Sequence, residues 1–223
     1  MEQRISVDDG SIYDFVVADR ISRAGLLPIS TFYIPVEYTD HEMMDENGLS
    51  IFARVLHNNG GEIGAHTYSH KKLSTLSGAE ALLEMTAGKK YIEDLIGREV
   101  TKLSYPRGWY NEETKEMAKV AGFLEARTMK LGVTDRTGFD NYEIPVTCHV
   151  RPRKENGFED FEKLFEKAKT GGYFHLVLHG WEVEEFALWG VLEKILHTMY
   201  EYQSSSGSGE NDQSPSGEKS RAL

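Results

Sequence analysis

A single cysteine, Cys148, leaves this chain of 223 residues without an internal disulfide framework. No apolar run approaches the ~20 residues of a membrane span, so no transmembrane segment is expected. The first residues, MEQRISVDDG, contain no apolar stretch of signal-peptide type. As given, that start fits a cytoplasmic protein, or an extracytoplasmic one whose leader has been removed. Basic charge is scarce as well. With 25 Lys and Arg against 36 Asp and Glu, the formal net charge is -11. Nucleic acid and anionic membranes are bound through clustered Lys and Arg, so neither is an expected partner.

What is present is enough chain for one sizeable core, burying roughly 70% of the surface the unfolded form exposes. The composition changes at Gln203, where QSSSGSGENDQSPSGEKSRAL begins. Ser, Gly and polar residues there offer too little apolar surface to offset ordering entropy, so 203–223 is expected to be a disordered tail behind a folded unit of residues 1–202. Within that unit, strand-like runs (Arg4 to Val7, Ile29 to Tyr33, Glu62 to Ala65, Leu103 to Tyr105, Leu124 to Arg127, Tyr173 to Leu178) alternate with helical patterns. Helices are expected near Ser11 to Ala24, over Leu49 to His57, and after the capping box Ser77–Glu80. Two more follow the apolar faces Phe158–Phe161–Leu164–Phe165–Ala168 and Leu188–Val191–Leu192–Ile195–Leu196–Met199. The alternation predicts a single-domain α/β fold with parallel strands, a distorted or incomplete (β/α) barrel.

Three polar clusters follow strand candidates: Asp8-Asp9, then His66 and His70 in GGEIGAHTYSH, then His179 in FHLVLHGWE. In a parallel barrel the C-terminal strand ends share one face, so the three clusters would converge there. Two imidazoles and a carboxylate form a common set for a divalent metal, and the neighbouring cation lowers carboxylate pKa values, which relieves the repulsion between adjacent acids. Each part also has a plainer reading. Asp-Asp-Gly reads as a turn, the His-x-x-x-His pair as two surface or capped histidines, and His179 as a satisfied core histidine. His41, His57, His149 and His197 read as structural. By strand alternation His175 shares the side of His179 and is a second candidate. Trp109 and Trp181 fit either core positions or stacking platforms for sugar rings.

Taken in order, SVDDG, GAHTYSH, SYPRGWYN and LVLHGWE resemble the motifs of the metal-dependent polysaccharide deacetylases, over roughly residues 4 to 200. The resemblance implies a divalent metal, zinc foremost with cobalt, nickel or iron as alternatives, and hydrolysis of an N-acetyl amide on a carbohydrate substrate. It implies Asp8 as general base, Asp9, His66 and His70 as metal ligands, and His179 as general acid, with Leu178 and Trp181 as pocket wall. The third motif departs from the usual Arg-x-Pro-Tyr form: Ser104 takes the Arg place, Pro106 matches, and Arg107 stands where an aromatic is usual. Its YPRG form looks like that of the poly-N-acetylglucosamine deacetylase branch. By the same resemblance the backbone N–H of Arg107, after Pro106, would hold an oxyanion. Arg127 is the candidate to replace the missing motif arginine, and the family's fourth motif has no clear match. Two alternatives stay open: hydrolysis of a small non-sugar amide or ureide on the same fold, and an inactive carbohydrate-binding barrel.

Overall fold

The computed structural model describes residues 1–38 and 40–207. Seven strands, β1 (Glu2–Asp8), β2 (Ser30–Ile34), β3 (Glu62–Ala65), β4 (Lys102–Ser104), β5 (Glu125–Arg127), β6 (Cys148–His149) and β7 (Tyr173–His179), make one sheet. Their order is β5-β4-β3-β2-β1-β7-β6, and every pairing is parallel. The helices are α1 (Asp14–Arg23), α2 (Glu46–Asn58), α3 (Gly78–Ile96), α4 (Glu112–Val120), α5 (Phe161–Gly171), α6 (Gly180–Glu185) and α7 (Trp189–Gly207). Of these, α4, the short α6 and the two-residue β6 escaped the sequence pattern. Helix α7 continues through Gly207; the rest of the expected tail lies outside the described residues.

The sheet curls into an incomplete barrel. Its outer strands β5 and β6 do not pair with each other. The chain from Ile144 to Val150 spans the gap instead. Ile144 bridges Arg127 in parallel, while the Thr147 and Val150 N–H groups donate to His175 and Val177 carbonyls.

Strand alternation sorts the side chains. Ile5 and Val7 of β1, with Leu176 and Leu178 of β7, face outward into the core shared with the helices. Each such fully buried side chain contributes about 1.5–3 kcal/mol. Ser6 and Asp8 face inward, so the barrel interior is polar. That departs from the apolar interior usual for parallel strands. At its lower end Arg4 reaches Glu125 at 3.0 Å. In the middle, His175 is fully engaged: its Nε2 lies 2.7 Å from Ser6 Oγ, and its Nδ1 lies 3.0 Å from the Pro145 carbonyl. His175 is therefore a structural residue well below the strand ends. Burial holds its pKa well under the ordinary histidine value.

Candidate active site

The end of β1 is a strained turn. Asp9 has φ +80°, and Thr67, His70 and Arg107 also hold positive φ, so four of the six such non-glycine residues among the described residues gather at one end of the barrel. Such conformations cost on the order of 1–3 kcal/mol each and persist only where the surroundings enforce them. Their positions coincide with the converging polar clusters.

Asp8 points into the barrel, where Arg127 at the end of β5 donates to its Oδ2 and the Ser104 hydroxyl lies 3.4 Å away. Both Asp8 and Arg127 are buried. Burial alone would raise the Asp8 pKa, but the Arg127 guanidinium, with His66 nearby, holds it below the usual carboxylate range. Its other oxygen, Oδ1, is buried and accepts no hydrogen bond.

Asp9, His66 and His70 converge alongside. The Nε2 atoms of His66 and His70 lie 3.5 and 3.4 Å from Asp9 Oδ1. His66 Nδ1 is 2.7 Å from the Ser104 carbonyl, which requires a proton there and directs Nε2, the acceptor of the neutral ring, towards Asp9. Burial, with His66 beside it, lowers the His70 pKa to about 4, so His70 is neutral near pH 7. Asp9 Oδ1 is itself buried without a hydrogen-bond donor. Three acceptors facing one another with no donor between them fit a cation. Trp181 Nε1 donates to the remaining Asp9 oxygen at 3.0 Å and so fixes the carboxylate.

Helix α3 positions this histidine loop. The Tyr68 N–H donates to the Glu84 carbonyl, and the Glu84 carboxylate accepts from the Ser69 N–H at 2.8 Å and its hydroxyl at 2.6 Å. At Gly88 a Cβ would lie 2.6 Å from the Thr67 backbone carbon, so only glycine lets helix and loop approach this closely.

On the opposite wall stands His179, the last residue of β7. Its Nδ1 lies 2.8 Å from Glu182 Oε2, one turn along α6, and its Nε2 lies 3.7 Å from Asp9 Oδ2. Burial would lower the His179 pKa, but the Asp9 carboxylate and the Glu182 hydrogen bond outweigh it and push it up to about 9. Glu182 is buried and is also held by His149 Nε2 and Arg151, each at 2.8 Å. His149 therefore belongs to the site rather than to the scaffold. It closes the two-residue β6 and had no signal of its own, whereas Glu182 was legible only as the third residue after His179.

The pocket over these groups has a volume of about 530 Å³. Tyr38, Trp109 and Trp181 supply aromatic wall, and His41, which read as structural, stacks on Trp181 at 3.6 Å. Arg107 lines the rim, half exposed, in the 3-10 turn Pro106–Gly108. Two expectations need correction. Leu178 is not pocket wall, because alternation along β7 turns it into the apolar core. Pro106 is buried at the start of the turn and does not line the cavity.

Residues 23–126 match the polysaccharide deacetylase family model. Among curated proteins, the inferred polysaccharide deacetylase YxkH of Bacillus subtilis (strain 168) is 34% identical over 77 residues, covering 34% of this chain and 28% of that protein. The match thus spans less than a third of the relative's length. Solved structures share the fold. The Bc1960 peptidoglycan N-acetylglucosamine deacetylase has a TM-score of 0.58 at 16% identity, covering 92% of this chain and 83% of its own. A family 4 carbohydrate esterase from Streptomyces lividans, in complex with acetate, has a TM-score of 0.56 at 12% identity, covering 92% and 88%. BA3943 of Bacillus anthracis, a pseudoenzyme of that family, has a TM-score of 0.55 at 14% identity, covering 92% and 61%.

Proposed function

From the match of residues 23–126 to the polysaccharide deacetylase family model, we propose that the chain is a member of that family and a metal-dependent hydrolase of a carbon–nitrogen bond, removing acetyl from an N-acetylated amino sugar. The observation that carries this reading is the pair of buried, unpartnered carboxylate oxygens, Asp9 Oδ1 facing two imidazoles and Asp8 Oδ1 beside it. Asp9, His66 and His70 would hold the ion, with zinc foremost. A divalent ion held there would polarise an acyl oxygen and lower the pKa of water towards ~7.

The protein's own groups divide the remaining work. Asp8, kept ionised by Arg127, accepts a proton at Oδ1. The backbone N–H of Arg107 donates to the developing oxyanion, a contribution on the order of 3 kcal/mol for one such donor. His179 donates its Nδ1–H to Glu182, and because its pKa is raised to about 9 it also carries a proton on Nε2, which it delivers to the departing amine. Trp109, Tyr38 and Trp181 offer flat apolar faces for sugar rings.

A second reading, a binding barrel without turnover, gains weight from the pseudoenzyme neighbour. Here, however, the base, ligand and acid positions all carry competent groups. Mass spectrometry of N-acetylglucosamine oligomers incubated with zinc-loaded protein separates the two. Stepwise acetyl loss supports the deacetylase, and intact oligomers that nonetheless bind would establish the lectin-like alternative. A panel of small formamides and ureides run in parallel addresses non-sugar substrates.

A further inference from the structure

The active-site pocket does not end at the catalytic groups. Leu131, Arg151 and Arg153 line both it and an adjoining open cleft of about 700 Å³, so the two form one continuous groove. The cleft is walled by the loop Arg151-Pro152-Arg153-Lys154-Glu155, three of whose five residues are cationic. In a chain of net charge -11 that is an unexpected concentration beside a catalytic pocket.

The cations differ in how they are used. Arg151 is committed to Glu182 at 2.8 Å. Arg153 and Lys154 are exposed, and among the described residues neither forms an ion pair, whereas Arg4, Lys71, Lys90 and Arg136 are each matched to a carboxylate. The loop is also built, which distinguishes it from a mobile charged surface. The His149 N–H donates to the Asn156 carbonyl, and the Asn156 N–H donates to Asp160 at 2.7 Å. A Cβ at Gly157 would lie 2.7 Å from the Arg151 carbonyl, so the loop folds tightly back on itself.

From this arrangement we infer that the substrate is an anionic glycan, whose carboxylate or phosphate, on a unit next to the N-acetylated sugar, sits against Arg153 and Lys154. Two unpaired cations on an ordered rim bind an anion without first breaking an internal pair, and they impose a polarity on the chain lying in the groove. The inference deepens the deacetylase reading and rests on it, but it is tested separately.

Calorimetric titration of the zinc-loaded protein should use two pairs of probes: a hyaluronan tetrasaccharide, in which N-acetylglucosamine alternates with a uronate, against neutral chitotetraose, and diacetylchitobiose 1-phosphate, whose phosphate lies on the unit next to the terminal N-acetylglucosamine, against neutral diacetylchitobiose. At low salt at least one anionic probe is expected to bind tenfold or more tightly than its neutral counterpart, with the gap narrowing as salt rises. The carboxylate and phosphate probes identify which charge is read. Arg153→Glu combined with Lys154→Glu should erase the preference, and Arg153→Gln with Lys154→Gln should weaken it. In turnover the loss should fall on KM for the anionic probe far more than on kcat. Equal binding of anionic and neutral probes, or a preference that survives the double variant, overturns the inference. Acetyl loss from chitotetraose without anion preference would leave the deacetylase reading standing alone. Anion-selective binding without acetyl loss from any probe would overturn that reading and keep the anion site.

Discussion

Asp8 and Asp9 are adjacent carboxylates with different surroundings, and the difference is set by backbone direction. Asp8 continues the inward alternation of β1 and meets Arg127, while Asp9, at positive φ, turns towards His66 and His70. Asp8→Asn is therefore expected to retain metal yet lose turnover by a factor on the order of 10² to 10⁴, the usual contribution of a positioned base. Asp9→Asn should weaken metal affinity first, with excess metal restoring part of the activity. Metal content and acetate release, measured on both variants, check this; reversed phenotypes would exchange the roles. Arg127→Ala leaves a buried Asp8 without its cation and should destabilise the fold by about 3–5 kcal/mol in urea denaturation. The sequence offered Arg127, closing a strand candidate, as a replacement for the missing motif arginine, but not its partner. Its reach to Asp8 depends on β5 and β1 curling towards each other, which no local pattern encodes.

The histidine loop owes its shape to a helix more than to its own sequence. Helix α3 starts at a capping box that the sequence announces, Ser77 with Glu80, and both reciprocal hydrogen bonds are present. Its Glu84 and Gly88, which clamp and admit the loop, carried no comparable signal, because their function is a contact with residues 15 to 21 positions earlier. Gly88→Ala separates the two effects. By helix propensity alone it should stabilise α3 by about 1 kcal/mol. The collision with the Thr67 backbone should reverse that sign and lower metal affinity as well, measurable by thermal melting and metal titration. Helix α4 escaped notice because its apolar face is short, and β6 because two residues carry no periodicity; pairing with β7 alone makes it a strand.

For the molecule as a whole, the alternation of short strand-like runs such as RISV with helical patterns was enough to predict a parallel α/β barrel with its polar clusters at one end. What could not be read was closure: the gap is bridged by an irregular segment, Ile144 to Val150, whose pairing partners are far apart in sequence. The polar interior has a consequence for stability. His175 stays neutral in the fold, with a pKa well below the ordinary 6.5, so the unfolded chain takes up a proton that the folded chain does not. Its contribution is complete above about pH 6.5 and is lost as pH falls, at up to about 1.4 kcal/mol per pH unit. Buried Asp14, whose pKa burial raises, acts in the opposite sense, so the comparison needs a variant. His175→Gln should flatten the pH dependence of urea stability below pH 6.5, and an unchanged slope would remove His175 from the balance. Whether Asp9, His66 and His70 together hold a metal is tested most directly by equilibrium dialysis against zinc. The wild-type chain is predicted to bind one equivalent that is lost when His66 and His70 are both replaced by alanine, while one equivalent retained by that double variant would contradict the account.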